Sequence, residues 1–229
     1  MASIFEQPKV DNPCKKYLKW SSLDACFMEY DKESGENVKH ENLEFTCIKD
    51  MVTLKGYSEK NSSSLWANEV ENLKTQKLNI YCKVNDNKTI LLSGLYADIK
   101  ADAKDLGAKY TQSVYIAVDV EGVTEIWNLQ MTGSGREGWF DFTKTNKAFN
   151  GGKVTFTGFE KRGKTKAVTY NVPMFSLGPN DNLENAKIEG KKVMDYLKSY
   201  LTASQTILKV EDESEMVETA EEDNDVLPF

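Results

Sequence analysis

The sequence predicts a mainly β fold with minor helices, on three observations. Apolar and polar residues alternate at period two through most of the chain, Gly, Asn and Asp clusters separate the alternating runs, and helical spacing is confined to a few stretches. An extended stretch covers about Leu43 to Tyr57. Leu78 to Val84 and Lys88 to Tyr96 flank Asn85-Asp86-Asn87, whose side chains favour turns, so the pair predicts a hairpin. Tyr110 to Val120 sets Val114, Ile116, Val118 and Val120 on one face and Thr111, Ser113, Tyr115 and Asp119 on the other. Glu121-Gly122 then turns the chain into Thr124 to Met131, where Trp127, Leu129 and Met131 share a face, a second hairpin. Lys153 to Glu160 and Lys166 to Val172 flank the basic tip Lys161-Arg162-Gly163-Lys164, a third.

Helices are expected over roughly Ala97 to Gly107, for a turn or two around Trp139 to Phe149, and from about Leu183 to Leu201. The last follows Asn180-Asp181-Asn182, good N-cap chemistry, and carries Val193, Leu197, Tyr200 and Leu201 at helical spacing. From Val210 onward charge is high and there is little to bury, which predicts disorder. The organisation expected is therefore one domain over residues 1–209 and an acidic tail over 210–229. About five strands with a helix between hairpins is the element count of an OB-like, partly open antiparallel barrel with added hairpins. Other small β-barrels and sandwiches share that count.

The formal charge of −7 averages two unlike regions. Residues 211–229 hold nine acidic side chains and no Lys or Arg, which leaves 27 acidic against 29 basic residues elsewhere, a net of +2. A mildly basic body joined to an anionic tail suits a nucleic-acid binder that carries its own competing anion; a neutral body with a solubilising tail has the same charges. Cys14, Cys26, Cys47 and Cys82 form no Cys-x-x-Cys pair and His40 is the only histidine, which argues against a structural zinc site. No signal-like stretch follows Met1 and no apolar run is long enough for a bilayer, so a cytoplasmic protein with reduced thiols and no membrane contact is expected.

Strand alternation also separates aromatics that must be buried from those that can face solvent. Tyr81 falls beside Lys83 and Asn79, Phe159 beside Lys153, Thr155 and Thr157, Tyr115 among Thr111, Ser113 and Asp119, and Tyr57 follows Thr53 and Lys55. Aromatics on polar faces next to lysines are what a sequence-tolerant single-strand binder requires, because every base offers a π-face and each lysine attracts phosphate whatever the sequence. These aromatics could equally pack beneath a helix, a loop or a partner. Trp127 and Tyr170 share faces with apolar residues and are expected in the core.

Two further basic and aromatic patches are candidates: Lys15-Lys16-Tyr17-Leu18-Lys19-Trp20, represented by Lys16 and Trp20, and the hairpin tip with Lys161, Arg162, Lys164 and Lys166. Gly133-Ser134-Gly135-Arg136-Glu137-Gly138 matches G-x-G-x-x-G, but its neighbours are antiparallel hairpins and not a βαβ unit, so no dinucleotide cofactor is expected. Arg136 and Trp139 on the rim of that loop suit a DNA contact. No catalytic residue, metal or cofactor is expected; the enzyme-class alternative is a metal-dependent nuclease using Asp119, Glu121 and Asp141.

The most specific signal is Glu221-Glu222-Asp223-Asn224-Asp225-Val226-Leu227-Pro228-Phe229. It resembles the acidic tip of bacterial single-stranded-DNA-binding proteins, which ends in aspartates, an aliphatic residue, proline and phenylalanine, and the acidic, aromatic-terminated ends of some phage counterparts. The likeness covers these nine residues and departs from the bacterial form at Val226 and Asn224. The body has no match to the bacterial domain, which favours a phage-type or divergent member. The resemblance implies binding and protection of single-stranded DNA in replication, recombination or repair, in the host cytoplasm if phage-encoded, with homo-oligomers possible. It also implies recruitment of a polymerase, primase, helicase or nuclease through Asp223, Asp225, Leu227, Pro228 and Phe229. The alternative in the interaction class is an acidic-tail DNA mimic or scaffold that never binds DNA.

Overall fold

A computed structural model describes residues 10–201, apart from 32, 33, 86, 148, 150, 166 and 167. The chain divides into two compact units, Asn12–Val193 and a second made of Met1–Asp11 with Met194–Phe229. Within the described part of the second unit, Tyr196 and Tyr200 stack one helical turn apart, ring centroids 5.8 Å.

The protein is mainly β. The strands of the first unit are β1 (Lys16–Ser21), β2 (Cys26–Tyr30), β3 (Asn37–His40), β4 (Leu43–Ser58), β5 (Ser63–Ala67), β6 (Leu78–Val84), β7 (Asn87–Gly94), β8 (Ala108–Val120), β9 (Val123–Met131), β10 (Lys153–Thr165) and β11 (Val168–Gly178). Helix α1 (Tyr96–Asp105) precedes β8 and α2 (Gly133–Thr145) follows β9. A third helix, α3, runs over 183–201. The three expected hairpins are β6–β7, β8–β9 and β10–β11. At the β8–β9 turn Glu121 and Gly122 both take positive φ, 53° and 81°, the left-handed pair that a two-residue turn needs to match strand twist.

One open sheet runs β3-β2-β1-β9-β8-β4-β5-β6-β7, with β10 joined to β4 and β11 to β10. The 16-residue β4 is shared: it pairs with β10 over Leu43–Thr46, with β8 over Thr46–Gly56 and with β5 over Lys55–Ser58. Lateral order β10-β4-β8-β9, antiparallel throughout, is a Greek key in which the fourth strand returns beside the first. Among the described residues no strand ladder closes it. β1 pairs in parallel with β9, and β11 reaches the β1–β2 turn through Asn171, whose side-chain and backbone N–H groups donate to the Ser22 carbonyl (2.8 Å) and hydroxyl (3.0 Å).

The inner face of the sheet carries two cores. Leu18, Phe27, Phe45, Val114, Ile116, Trp127, Leu129, Val154 and Phe156 pack beneath Trp139 and Phe142 of α2. Leu54, Leu65, Leu78, Ile80 and Cys82 pack beneath Ile99 and Ala103 of α1. A register shift in β4 between Cys47 and Lys49 adds one residue, so Cys47 and Asp50 both point inward. The glycine-rich motif is the opening of α2, and it serves packing: a Cβ on Gly135 would sit 2.8 Å from that of Trp20, and one on Gly138 would sit 2.1 Å from the Pro173 carbonyl oxygen. The expected second helix therefore begins six residues earlier than the Trp139 start, at Gly133. Strands β1, β2, β3 and β5 were not anticipated. β1 occupies the Lys15–Trp20 patch, with Leu18 inward and Lys19 exposed.

Candidate nucleic-acid interface

The outer face of β1, β9, β8 and β4 has a covered half and an open half. In the covered half Glu69 reaches over the sheet, accepting from the Tyr115 hydroxyl at 2.7 Å and from the Ser113 hydroxyl, while Asn128 donates to Ser113 at 2.9 Å. Those polar groups satisfy one another, and Glu69 covers the tyrosine ring. In the open half Lys19, Lys55 and Lys109 converge with Trp66, Thr111 and Gln130 around a groove of about 420 Å³. Half-buried Lys55 lies 5.9 Å from the centre of the Tyr17 ring, and burial lowers its pKa from the ordinary lysine value.

The groove continues. Lys109 also lines a hollow of about 470 Å³ with Lys100, Lys104, Arg136, Tyr96 and Tyr110. There the Arg136 guanidinium stands 4.5 Å from the centre of the Tyr110 ring, which meets Tyr96 edge-on at 5.7 Å. Arg136, Tyr110 and Gly133 in turn line a cleft of about 1060 Å³ against α2. Shared residues thus join three hollows into one track with six cations along it, Lys19, Lys55, Lys109, Lys100, Lys104 and Arg136. Among the described residues none of the six is ion-paired and no carboxylate lines the first two hollows. Carboxylates, Asp50 and Glu137, enter only at the cleft.

The residues singled out from sequence divide three ways. Tyr57 is 55 % exposed, at the open end of β4 two residues from Lys55, and Arg136 lies on the track. Lys83, Phe159 and Lys161 are exposed but line none of the three hollows. The others are corrected by burial or by partners. Tyr115 is 1 % exposed because Glu69 covers it; Tyr81 is 8 % exposed, stacked on Trp66 at 6.1 Å with the Lys88 ammonium 3.7 Å from its ring centre. Trp139 is a core residue, 2 % exposed, its Nε1 donating to Asp50 Oδ2 at 3.1 Å, and not a loop rim. Trp20 is half-buried, its Nε1 donating to Ser134 Oγ and the Asn171 carbonyl at 3.2 Å each, and it also lines the groove beside Lys19 and Lys55. Three cations have carboxylate partners: Lys16 with Glu29 (3.0 Å), Lys153 with Asp181 (2.6 Å), and Arg162 with Glu137 (2.7 Å), Asp141 (2.8 Å) and Glu160 (3.0 Å). The side chain of Lys164, and Lys166, Asp223, Asp225, Leu227, Pro228 and Phe229, lie outside the described residues.

Two of the three carboxylates of the nuclease alternative are otherwise engaged: Asp119 accepts from the Gly122 amide at 2.9 Å and Asp141 holds Arg162. Among the described residues no group of three or more His, Cys, Asp or Glu could hold a metal ion. Sequence reasoning missed Lys109, Lys100, Lys104 and Trp66, and reached Lys19 only as part of the Lys15–Trp20 patch. Their one local signal was the period-two placement of Lys109 with Thr111 and of Lys55 with Tyr57; that these strands are neighbours follows only from the β4–β8 pairing. No protein-family model, no curated protein and no solved structure matches this chain.

Proposed function

We propose that this chain binds single-stranded DNA along the basic and aromatic track, without catalysis, and that its acidic segment 211–229 recruits replication or recombination proteins. The observation that carries the reading is the unbroken run of six unpaired cations, interleaved with Trp66, Tyr96 and Tyr110, through hollows that share residues. Backbone attraction by unpaired lysines and stacking on the accessible parts of these half-buried rings together give sequence-tolerant affinity for a flexible single strand. The reading is supported by the Greek-key order with a fifth strand and α2 between the third and fourth, which suits an OB-type barrel. Such partly open barrels commonly take oligonucleotides on the face of their second and third strands, and here those are β8 and β9, which contribute Lys109, Thr111 and Gln130 to the groove.

Fluorescence anisotropy with labelled oligo-dT tests this. Affinity should fall with salt, with a log–log slope of about −0.7 per phosphate engaged, and replacing Lys19, Lys55 and Lys109 together by Ala should flatten that slope by about 2. Absence of salt-sensitive binding would favour the DNA mimic. We further propose that the acidic segment competes for the same cations, so removing residues 211–229 should tighten binding at low salt, by a margin that shrinks as salt rises.

A further inference from the structure

At one end the track opens into the cleft between α2, β4 and β8, and the chemistry of its floor differs from the rest. Asp50 Oδ2 accepts from Trp139 Nε1 at 3.1 Å and Oδ1 accepts from Gln112 Nε2, which also faces the Met51 carbonyl at 3.3 Å. These bonds fix the Asp50 carboxylate between two rigid donors. They use one lone pair on each of its oxygens and both amide protons of Gln112. What the floor offers a ligand is therefore acceptors: the second lone pairs of Asp50 and the oxygen of Gln112. Tyr110, Tyr170 and Phe140 supply aromatic walls, and Arg136 stands where the cleft joins the track. A site with flat apolar walls, an acceptor floor and a cation at its mouth suits a planar ring whose edge carries adjacent donors and which hangs from a phosphate.

We infer that this cleft receives one guanine base from a strand lying on the track; the inference rests on the single-strand reading above. Among the four bases only guanine places two donors side by side on its pairing edge, N1–H and the N2 amine, at the spacing of a carboxylate's two oxygens. Thymine has one donor flanked by two carbonyls that the carboxylate repels, and adenine and cytosine set an acceptor next to their amine. An unstacked base read on its pairing edge between aromatic walls is an established mode of recognition. The chain then binds any single strand, and settles in a preferred register where a guanine can enter.

The test is competition anisotropy on the full chain with oligo-dT and the same oligomer carrying one central guanine, hypoxanthine or 7-deazaguanine. Guanine should bind about tenfold tighter than thymine, within the discrimination of one bidentate base contact. 7-Deazaguanine, whose pairing edge is unchanged, should match guanine, and hypoxanthine, which lacks the N2 amine, should lose most of the gain. Asp50→Asn should bring the guanine-to-thymine ratio close to one. Salt-sensitive binding of oligo-dT without a guanine preference overturns the inference and leaves the single-strand reading standing. So does a preference that hypoxanthine keeps, a result that needs no folded variant. Failure to bind any of the oligomers overturns both.

Discussion

Single side chains in this protein are decided by what covers them. Asp50 is the clearest case, because burial pushes its carboxyl above the usual carboxylate range, against the Gln112 and Trp139 bonds that lower it. A carboxyl with a raised folded-state pKa holds its proton more tightly in the folded chain than in the unfolded one. Its ionisation therefore costs nothing at acid pH, and stability declines as pH rises through the folded value. Asp50→Asn cannot ionise, and it turns an amine toward one of the two donors, so urea unfolding should show its stability relative to the parent to be higher at about pH 7 than near pH 3. Cys14 follows the same logic: burial pushes its thiol up to about 12, and its Sγ lies 3.1 Å from the Lys16 carbonyl oxygen. Little thiolate exists at neutral pH, and iodoacetamide should label Cys14 far more slowly than a free thiol in solution. The contrast between Tyr57 and Tyr115 marks the limit of what the sequence makes legible. Both alternate with polar neighbours, and both are on the outer face, yet Glu69 from a distant loop covers one and leaves the other open. Period two assigns a side of the sheet; it carries no information on which loop crosses that side.

Elements were legible where one local signal sufficed. The β8–β9 hairpin announces itself because Val114, Ile116 and Val118 alternate and Glu121-Gly122 supplies the turn. β3 and β5 have four and five residues, too few for alternation to mark them, and only their neighbours in the sheet make them strands. Helix α2 is docked through its glycines, which is why it starts where a loop was expected. Gly138→Ala would drive a Cβ into the Pro173 carbonyl, so it should cost about 1–3 kcal/mol of stability in urea titration, a typical overpacking penalty. The β10–β11 ribbon is tied to the same helix by Arg162, which bonds Glu137 and Asp141 from α2 as well as Glu160 of its own strand. Such partly exposed pairs add little to global stability. Their effect should be local: Arg162→Gln is expected to speed amide exchange in the ribbon around residues 159–163 and leave the β8–β9 amides unchanged.

For the whole molecule, the track and the two cores share one strand, and that strand has a single irregularity. The extra residue between Cys47 and Lys49 is Ile48, which lies against Gly190 of α3; a Cβ on that glycine would stand 3.1 Å from its methyl group. Before it, Leu43, Phe45 and Cys47 point into the first core; after it, Asp50, Val52 and Leu54 point inward while Lys55 reaches the groove. An unbroken strand would have kept the odd-numbered residues inward throughout. The bulge therefore acts as a phase shift: by leaving Ile48 out of the register it determines on which side of the sheet the second half of β4 carries its charge. Deleting that one residue removes the bulge and keeps the phase, because Cys47 and Lys49 already face consecutive residues of β8; Lys49 and Lys55 should stay on the outer face and Val52 and Leu54 in the core, and the variant should keep its salt-sensitive binding of oligo-dT. A deletion variant that no longer melts cooperatively, or that loses Lys55 from the groove, would show that the bulge itself, and not only the phase it sets, holds the second half of β4 in place.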